Sequence, residues 1–172
     1  MATRLPRHKN LIKELPLSIC LPAGQAGRGA GVIKCIFIIA LLTSCTAKPE
    51  PLHYGTDACH TCKMILMDKK FGSEVVTTKG KVYKFDDTNC MVNFLNSNSM
   101  EGEAIAFKLI VDYSQPEKLI PLEQSFFLKS DEIRSPMNSG IAAFETEQAM
   151  KEYKKKWNAI YLGWGELQTE FK

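Results

Sequence analysis

A strand, a phenylalanine, a cap and a helix follow one another twice in this chain at a constant offset of 59 residues, and this repeat restricts the fold more than any other feature. Lys81 to Phe94 (KVYKFDDTNCMVNF) lies over Gly140 to Tyr153 (GIAAFETEQAMKEY), so that Phe85 matches Phe144, Asp86 matches Glu145, Cys90 matches Ala149 and Met91 matches Met150. In each copy a short apolar strand ends at the phenylalanine, and Asp87 or Thr146 is suited to cap a following helix. Cys90, Met91 and Phe94 then share one helix face, as do Ala149, Met150 and Tyr153, and each set can pack on a sheet. Upstream of the first copy, Ser73–Thr78 and Lys81–Phe85 flank Lys79-Gly80, a hairpin turn. Ser135 to Gly140 holds the same place in the second copy. The expectation is an α+β chain of two small units, each a hairpin with a helix across it.

Other elements follow from composition along the chain. Ile105–Tyr113 and Gln124–Lys129 read as strands, with a turn at Gln115-Pro116-Glu117 between them. Glu147–Trp157 reads as a helix whose Lys154-Lys155-Lys156 run is a solvated C-terminal end favoured by the helix dipole. The organisation expected is 54–103 for the first unit and 104–172 for the second.

The front of the chain reads as an address. Val32–Leu42 (VIKCIFIIALL) is too short to span a bilayer, which needs about 20 apolar residues, and has the length of a signal-peptide core. Leu42-Thr43-Ser44-Cys45 resembles a bacterial lipobox, in which the cysteine is lipidated, so 32–44 is expected to be a lipoprotein signal peptide and 45–53 a lipidated tether. Residues 1–31, broken by Pro6, Pro16, Pro22 and several glycines, show no core periodicity and read as an upstream gene-model extension. From Cys45 onward there are 16 basic and 18 acidic residues, a balance that gives no footprint for nucleic acid.

Chemistry concentrates in Cys59-His60-Thr61-Cys62-Lys63-Met64-Ile65-Leu66-Met67, where four sulfurs and an imidazole fall within nine residues. Thiolate and thioether donors together select Cu(I), whereas zinc has little use for a thioether. If Cys62 and Met64 occupy one extended strand, their side chains share a face. Cys59, His60 and Met67 are further donors in the run. Blander readings stand beside these: Met67 as core packing, His60 as a surface histidine, Cys90 as a small buried residue of the helix, and Cys59 with Cys62 as a disulfide, a redox pair or half a zinc site. Haem attachment does not fit, because Lys63 rather than histidine follows the second cysteine. Without an acid–base pair or a nucleophile–His–Asp grouping, binding is expected rather than catalysis.

The lipobox, Cys59-x-x-Cys62-x-Met64, Phe85-Asp86-Asp87…Cys90-Met91 and Ser135-Pro136-Met137…Gly140-Ile141-Ala142-Ala143-Phe144 resemble the NosL family of nitrous-oxide-reductase accessory lipoproteins, from Cys45 to about Leu167. The resemblance implies a duplicated ββαβ-type fold, similar to part of organomercurial lyase, and a Cu(I) carrier with no enzymatic activity. It places Cys62 and Met64 on the family's Cu(I)-linked Cys-x-Met pair and Met137 on a methionine of the second unit's loop; Lys63 stands where the family commonly has glycine. It further implies nitrous oxide reductase, or its membrane-bound maturation transporter, as partner, and a lipid-anchored, extracytoplasmic, periplasm-facing location. Two other functions are compatible with the residues: a thiol–disulfide redox lipoprotein using Cys59 and Cys62, and a structural lipoprotein without metal.

Overall fold

The structure, a computed structural model, describes residues 46–100 and 102–171. Residues 1–45, which carry the expected upstream extension, the expected signal segment 32–44 and the expected lipidation residue Cys45, lie outside the described residues.

The first repeat builds a four-stranded antiparallel sheet. Strands β1 (Ser73–Thr77) and β2 (Val82–Phe85) pair from Ser73↔Phe85 to Val76↔Val82. The turn between them is closed by the Gly80 N–H on the Thr77 carbonyl, with Gly80 at φ +82°, where a side chain would be strained. Helix α1 (Thr88–Asn96) follows and buries Cys90, Met91 and Phe94, as the repeat predicts. Its N-cap is Asp87, whose carboxylate accepts from the Asn89 N–H. Strand β3 (Ile105–Val111) then returns to pair with β1, and β4 (Leu119–Pro121) pairs with β3, giving the order β2-β1-β3-β4. Central β1 is wholly buried.

The second repeat does the same with three strands. Strands β5 (Phe126–Lys129) and β6 (Ile141–Phe144) form a hairpin, helix α2 (Glu147–Trp157) follows, and β7 (Ile160–Leu162) returns to pair with β5, in the order β6-β5-β7. Thr146 caps α2 by accepting from the Ala149 N–H at 3.2 Å. Both hairpin strands end on a phenylalanine with no exposed surface, Phe85 and Phe144, 59 positions apart. The lysines closing α2 are exposed, as expected. A last helix, α3 (Trp164–Glu170), buries Leu167. Each repeat is thus a ββαβ unit.

Two details differ from the sequence-based expectation. Strand β3 is the fourth element of the first ββαβ unit, and β4 joins the same sheet, so this sheet runs past residue 103 to Pro121. The turn at Gln115–Glu117 exists, with Glu117 at φ +69°, yet it joins β3 to β4 rather than to the strand at Phe126–Lys129, which lies in the other sheet. The two sheets are linked by a parallel bridge between Asp112 and Ala143, in which the Tyr113 N–H donates to the Ala143 carbonyl at 2.8 Å. A continuous core spans them: Phe85, Met91 and Phe94 of the first repeat cluster with Phe127, Ile141 and Leu167 of the second.

One buried acid sits badly. Glu74 of β1 has no exposed surface; its Oε1 accepts the Glu50 N–H at 3.0 Å, while Oε2 has no partner. Burial pushes its carboxyl above the ordinary range, against the pull of the Glu50 N–H and Lys84. Because the folded value exceeds the unfolded one of about 4.3, the contribution of Glu74 to stability is complete below that pH and is lost as pH rises through the folded value. Glu74→Gln is therefore expected to stabilise the protein at pH 7 and to leave stability unchanged in acid. Urea unfolding at both conditions checks this; a variant no more stable at neutral pH would contradict it.

Candidate metal centre

The chain before Cys59 is fastened to the edge of the first sheet. Lys84 on β2 donates to the Pro51 carbonyl at 3.0 Å and pairs with Asp57 at 2.7 Å, and the His60 N–H donates to the Lys84 carbonyl at 2.7 Å. Between these ties the segment folds back on itself, with a bridge between Ala58 and Ile65 and the Cys59 N–H on the Met64 carbonyl at 2.8 Å. The Lys63 N–H closes a turn on the Cys59 carbonyl at 3.0 Å. Thr61 ties the turn to α1 through a hydroxyl donated to the Cys90 carbonyl at 3.0 Å.

Cys62 and Met64 therefore do not share an extended strand. The chain reverses between them at Lys63, which adopts φ +66°, a left-handed conformation costing a residue with a side chain roughly 1 kcal/mol or more. A glycine would adopt it freely. The Lys63 ammonium is held over the turn by the His60 carbonyl at 2.5 Å.

This turn delivers two sulfurs to a third and to a carboxylate. The sulfurs of Cys59, Cys62 and Cys90 and a carboxylate oxygen of Asp86 all lie within 4.8 Å of one another. Asp86 directly follows β2 and Cys90 lies on the first turn of α1, four residues later; Cys59, Asp86 and Cys90 are buried and Cys62 is partly exposed. All three cysteines are free thiols. The Cys62 S–H is directed at both Asp86 oxygens, at 3.3 and 3.4 Å.

The three thiols are inequivalent. The Cys90 thiol beside it, with the backbone N–H groups of Cys62 and Asp86, holds the Cys59 thiol down to about 6 against the effect of burial. Burial, with Cys59 and Asp86 alongside, pushes Cys62 up to about 11. The neighbouring Cys59, with burial, pushes Cys90 far above the thiol range. A thiolate in this cluster resides first on Cys59.

The methionines lie on the outside. Met64, 42% exposed, and Met67, 72% exposed, line an open cleft of about 330 Å³ together with Asp86, Arg134 and Pro136. Asp86 thus belongs both to the sulfur cluster and to the cleft wall. Met137, next to Pro136, is also exposed, and its N–H is held by Asp87 at 2.8 Å. Met67 is not core packing. His60 is exposed and stacks edge-on against Tyr83 and Phe94, with ring centroids 4.8 and 5.2 Å apart; the structure does not bring it into the sulfur cluster.

Of the residues singled out by sequence, the structure gathers Cys59 and Cys62 in one cluster and sets Met64 and Met67 on the adjoining cleft, with Met137 beside it. Asp86 and Cys90 were not read as donors. Their signal is position: Asp86 directly follows β2 and Cys90 lies in the first turn of the helix that Asp87 caps.

Comparison with known proteins bears on the fold and the family. Residues 53–171 match the NosL family. Among solved structures, the crystal structure of the copper chaperone NosL from Shewanella denitrificans superposes with a TM-score of 0.58 at 18% identity, covering 69% of this chain and 94% of that one. No curated protein matches the sequence.

Proposed function

The chain belongs to the NosL family, and from this we propose that it is a membrane-anchored Cu(I) metallochaperone that supplies copper for the maturation of nitrous oxide reductase. The observation that carries the reading is the cluster of Cys59, Cys62, Cys90 and Asp86, whose Asp86 also lines the cleft of the exposed methionines Met64 and Met67. Soft, polarizable donors of both kinds favour Cu(I) over zinc. The solved neighbour of this fold is itself described as a copper chaperone.

Delivery requires a site that is not closed. An ion held by Cys62 and Met64 at the cleft, with Met137 near, leaves room for a recipient's sulfur or imidazole to bind before the donor lets go. Met64 needs no deprotonation, so it can enter and leave the coordination shell without a proton changing hands. Lipidation of Cys45 would hold the carrier at the periplasmic face of a bacterial membrane. There it raises the effective concentration seen by nitrous oxide reductase or its membrane-bound maturation transporter. The thiol–disulfide alternative fares worse, since the readily ionised thiol, Cys59, is buried and out of reach of a protein substrate, while the accessible one, Cys62, is pushed up.

The test is anaerobic titration of the reduced chain with Cu(I) in competition with a chromophoric chelator, followed by transfer to a cysteine-containing acceptor peptide. One equivalent is expected to be retained and then transferred, and Met64→Leu is expected to slow transfer roughly tenfold, about 1.4 kcal/mol of barrier. Failure to retain copper, or retention of zinc in preference, would overturn the reading.

A further inference from the structure

Cys62 shares one cluster with Cys59, which has no exposed surface, Cys90, 3% exposed, and Asp86. Asp86 also lines the cleft that holds the exposed thioether of Met64. We propose that Cu(I) occupies two seats sharing Cys62: an inner one, where the ion lies between the Cys59 and Cys62 sulfurs with the Cys90 thiol alongside, and an outer one of Cys62 and Met64, from which it leaves. The inference rests on the copper reading and deepens it by giving buried Cys59 and Cys90 a role.

The inner seat is the stronger holder. Two thiolates bind Cu(I) more tightly than a thiolate with a neutral thioether, and burial of Cys59 keeps competing solvent thiols from its side of the ion. Loading forms two Cu–S bonds and removes two thiol protons in all; copper stays Cu(I), and the ion with its two thiolates carries one negative charge. Both protons go to solvent, that of Cys62 by way of Asp86, whose oxygens lie 3.3 and 3.4 Å from the sulfur. Passage outward breaks the Cu–Cys59 bond and forms one to Met64, with Cys62 bound throughout. The Cys59 thiolate left behind keeps the Cys90 thiol within 4.8 Å of its sulfur. The Cys59 N–H on the Met64 carbonyl at 2.8 Å keeps the two exchanging donors at neighbouring backbone positions.

The experiment compares wild type, Cys59→Ala, Cys90→Ala and Met64→Leu as reduced, full-length chains in detergent, loaded with one equivalent of Cu(I). Affinity is read by chelator competition and sulfur neighbours by X-ray absorption, with circular dichroism confirming the fold. Wild type should show two thiolate sulfurs at rest. Cys59→Ala should lose about a hundredfold in affinity and exchange one thiolate for a thioether, whereas Cys90→Ala, removing only a supporting donor, should lose about tenfold. Met64→Leu should keep both thiolate sulfurs at rest and pass its ion to the acceptor about tenfold more slowly. Should Cys59→Ala not fold, Cys90→Ala and the wild-type sulfur count still decide. Unchanged affinity in both cysteine variants, or a single thiolate with a thioether in wild type, would overturn the inner seat and leave the Cys62–Met64 carrier standing. A wild type that retains no copper overturns the carrier itself.

Discussion

Cys62→Ser is expected to abolish tight Cu(I) binding, with a loss of more than about a hundredfold, because even a group that only orients a ligand is worth ten- to a hundredfold in metal affinity. Serine offers a hard hydroxyl that stays protonated at neutral pH, and Cu(I) discriminates against it. The fold should tolerate the change. Cys62 is only partly buried, and its S–H bond to Asp86 can be replaced by an O–H donated to the same carboxylate. The substitution therefore separates chemistry from stability: chelator competition should show the loss, and urea unfolding a midpoint shifted little. An unchanged affinity would remove Cys62 from the site.

The second large effect is structural. Asp87→Ala is expected to cost about 2–4 kcal/mol, combining roughly 1 kcal/mol for a lost helix cap with about 1–3 kcal/mol for the buried Ser139 hydroxyl that loses its acceptor. Asp87 has no exposed surface and serves three donors: the Asn89 N–H at 3.4 Å, the Ser139 hydroxyl at 2.5 Å and the Met137 N–H at 2.8 Å. The first lies in its own repeat and the other two in the loop of the second, so one carboxylate both starts α1 and pins the Met137 loop. Against a total stability of about 5–15 kcal/mol for a domain, such a loss should be plain in denaturant midpoints. Asp87→Asn, which retains one acceptor oxygen, should cost less. A midpoint unmoved by Asp87→Ala would show that the loop is held by other means.

Local grammar made the repeated part of the fold legible. Phe85 and Phe144 end strands, Asp87 and Thr146 cap helices, and α2 spans Glu147–Trp157, all because strand content and capping chemistry are written in adjacent residues. What escaped is either short or long-range. Strands β4 and β7 have three residues each, and α3 begins at Trp164-Gly165 behind a glycine that offers no side-chain cap; these elements owe their existence to pairing and to buried Leu167 rather than to propensity. Which sheet β3 joins is set by its partner β1, some thirty residues upstream, and no local pattern encodes that. At the site the same division holds. The Cys59–Met67 run declared soft-metal chemistry by composition alone, and Met137 was placed by resemblance. Cys90 was read as a buried helix residue, which it is; that burial brings it to Cys59 and Cys62 depends on the turn at Lys63, where a lysine occupies a conformation suited to glycine.

The matched positions of the two repeats have diverged. Where the first has Cys90 the second has Ala149, and among the described residues every cysteine lies in the first. A saturation mutagenesis library scored for both protein abundance and copper-dependent growth should split along this line. Substitutions after Phe126 should depress growth only as far as they depress abundance, with the Met137 loop as the exception. Substitutions of partly exposed Cys62 and exposed Met64 should impair growth at undiminished abundance, whereas those of buried Cys59, Asp86 and Cys90 should lower abundance as well.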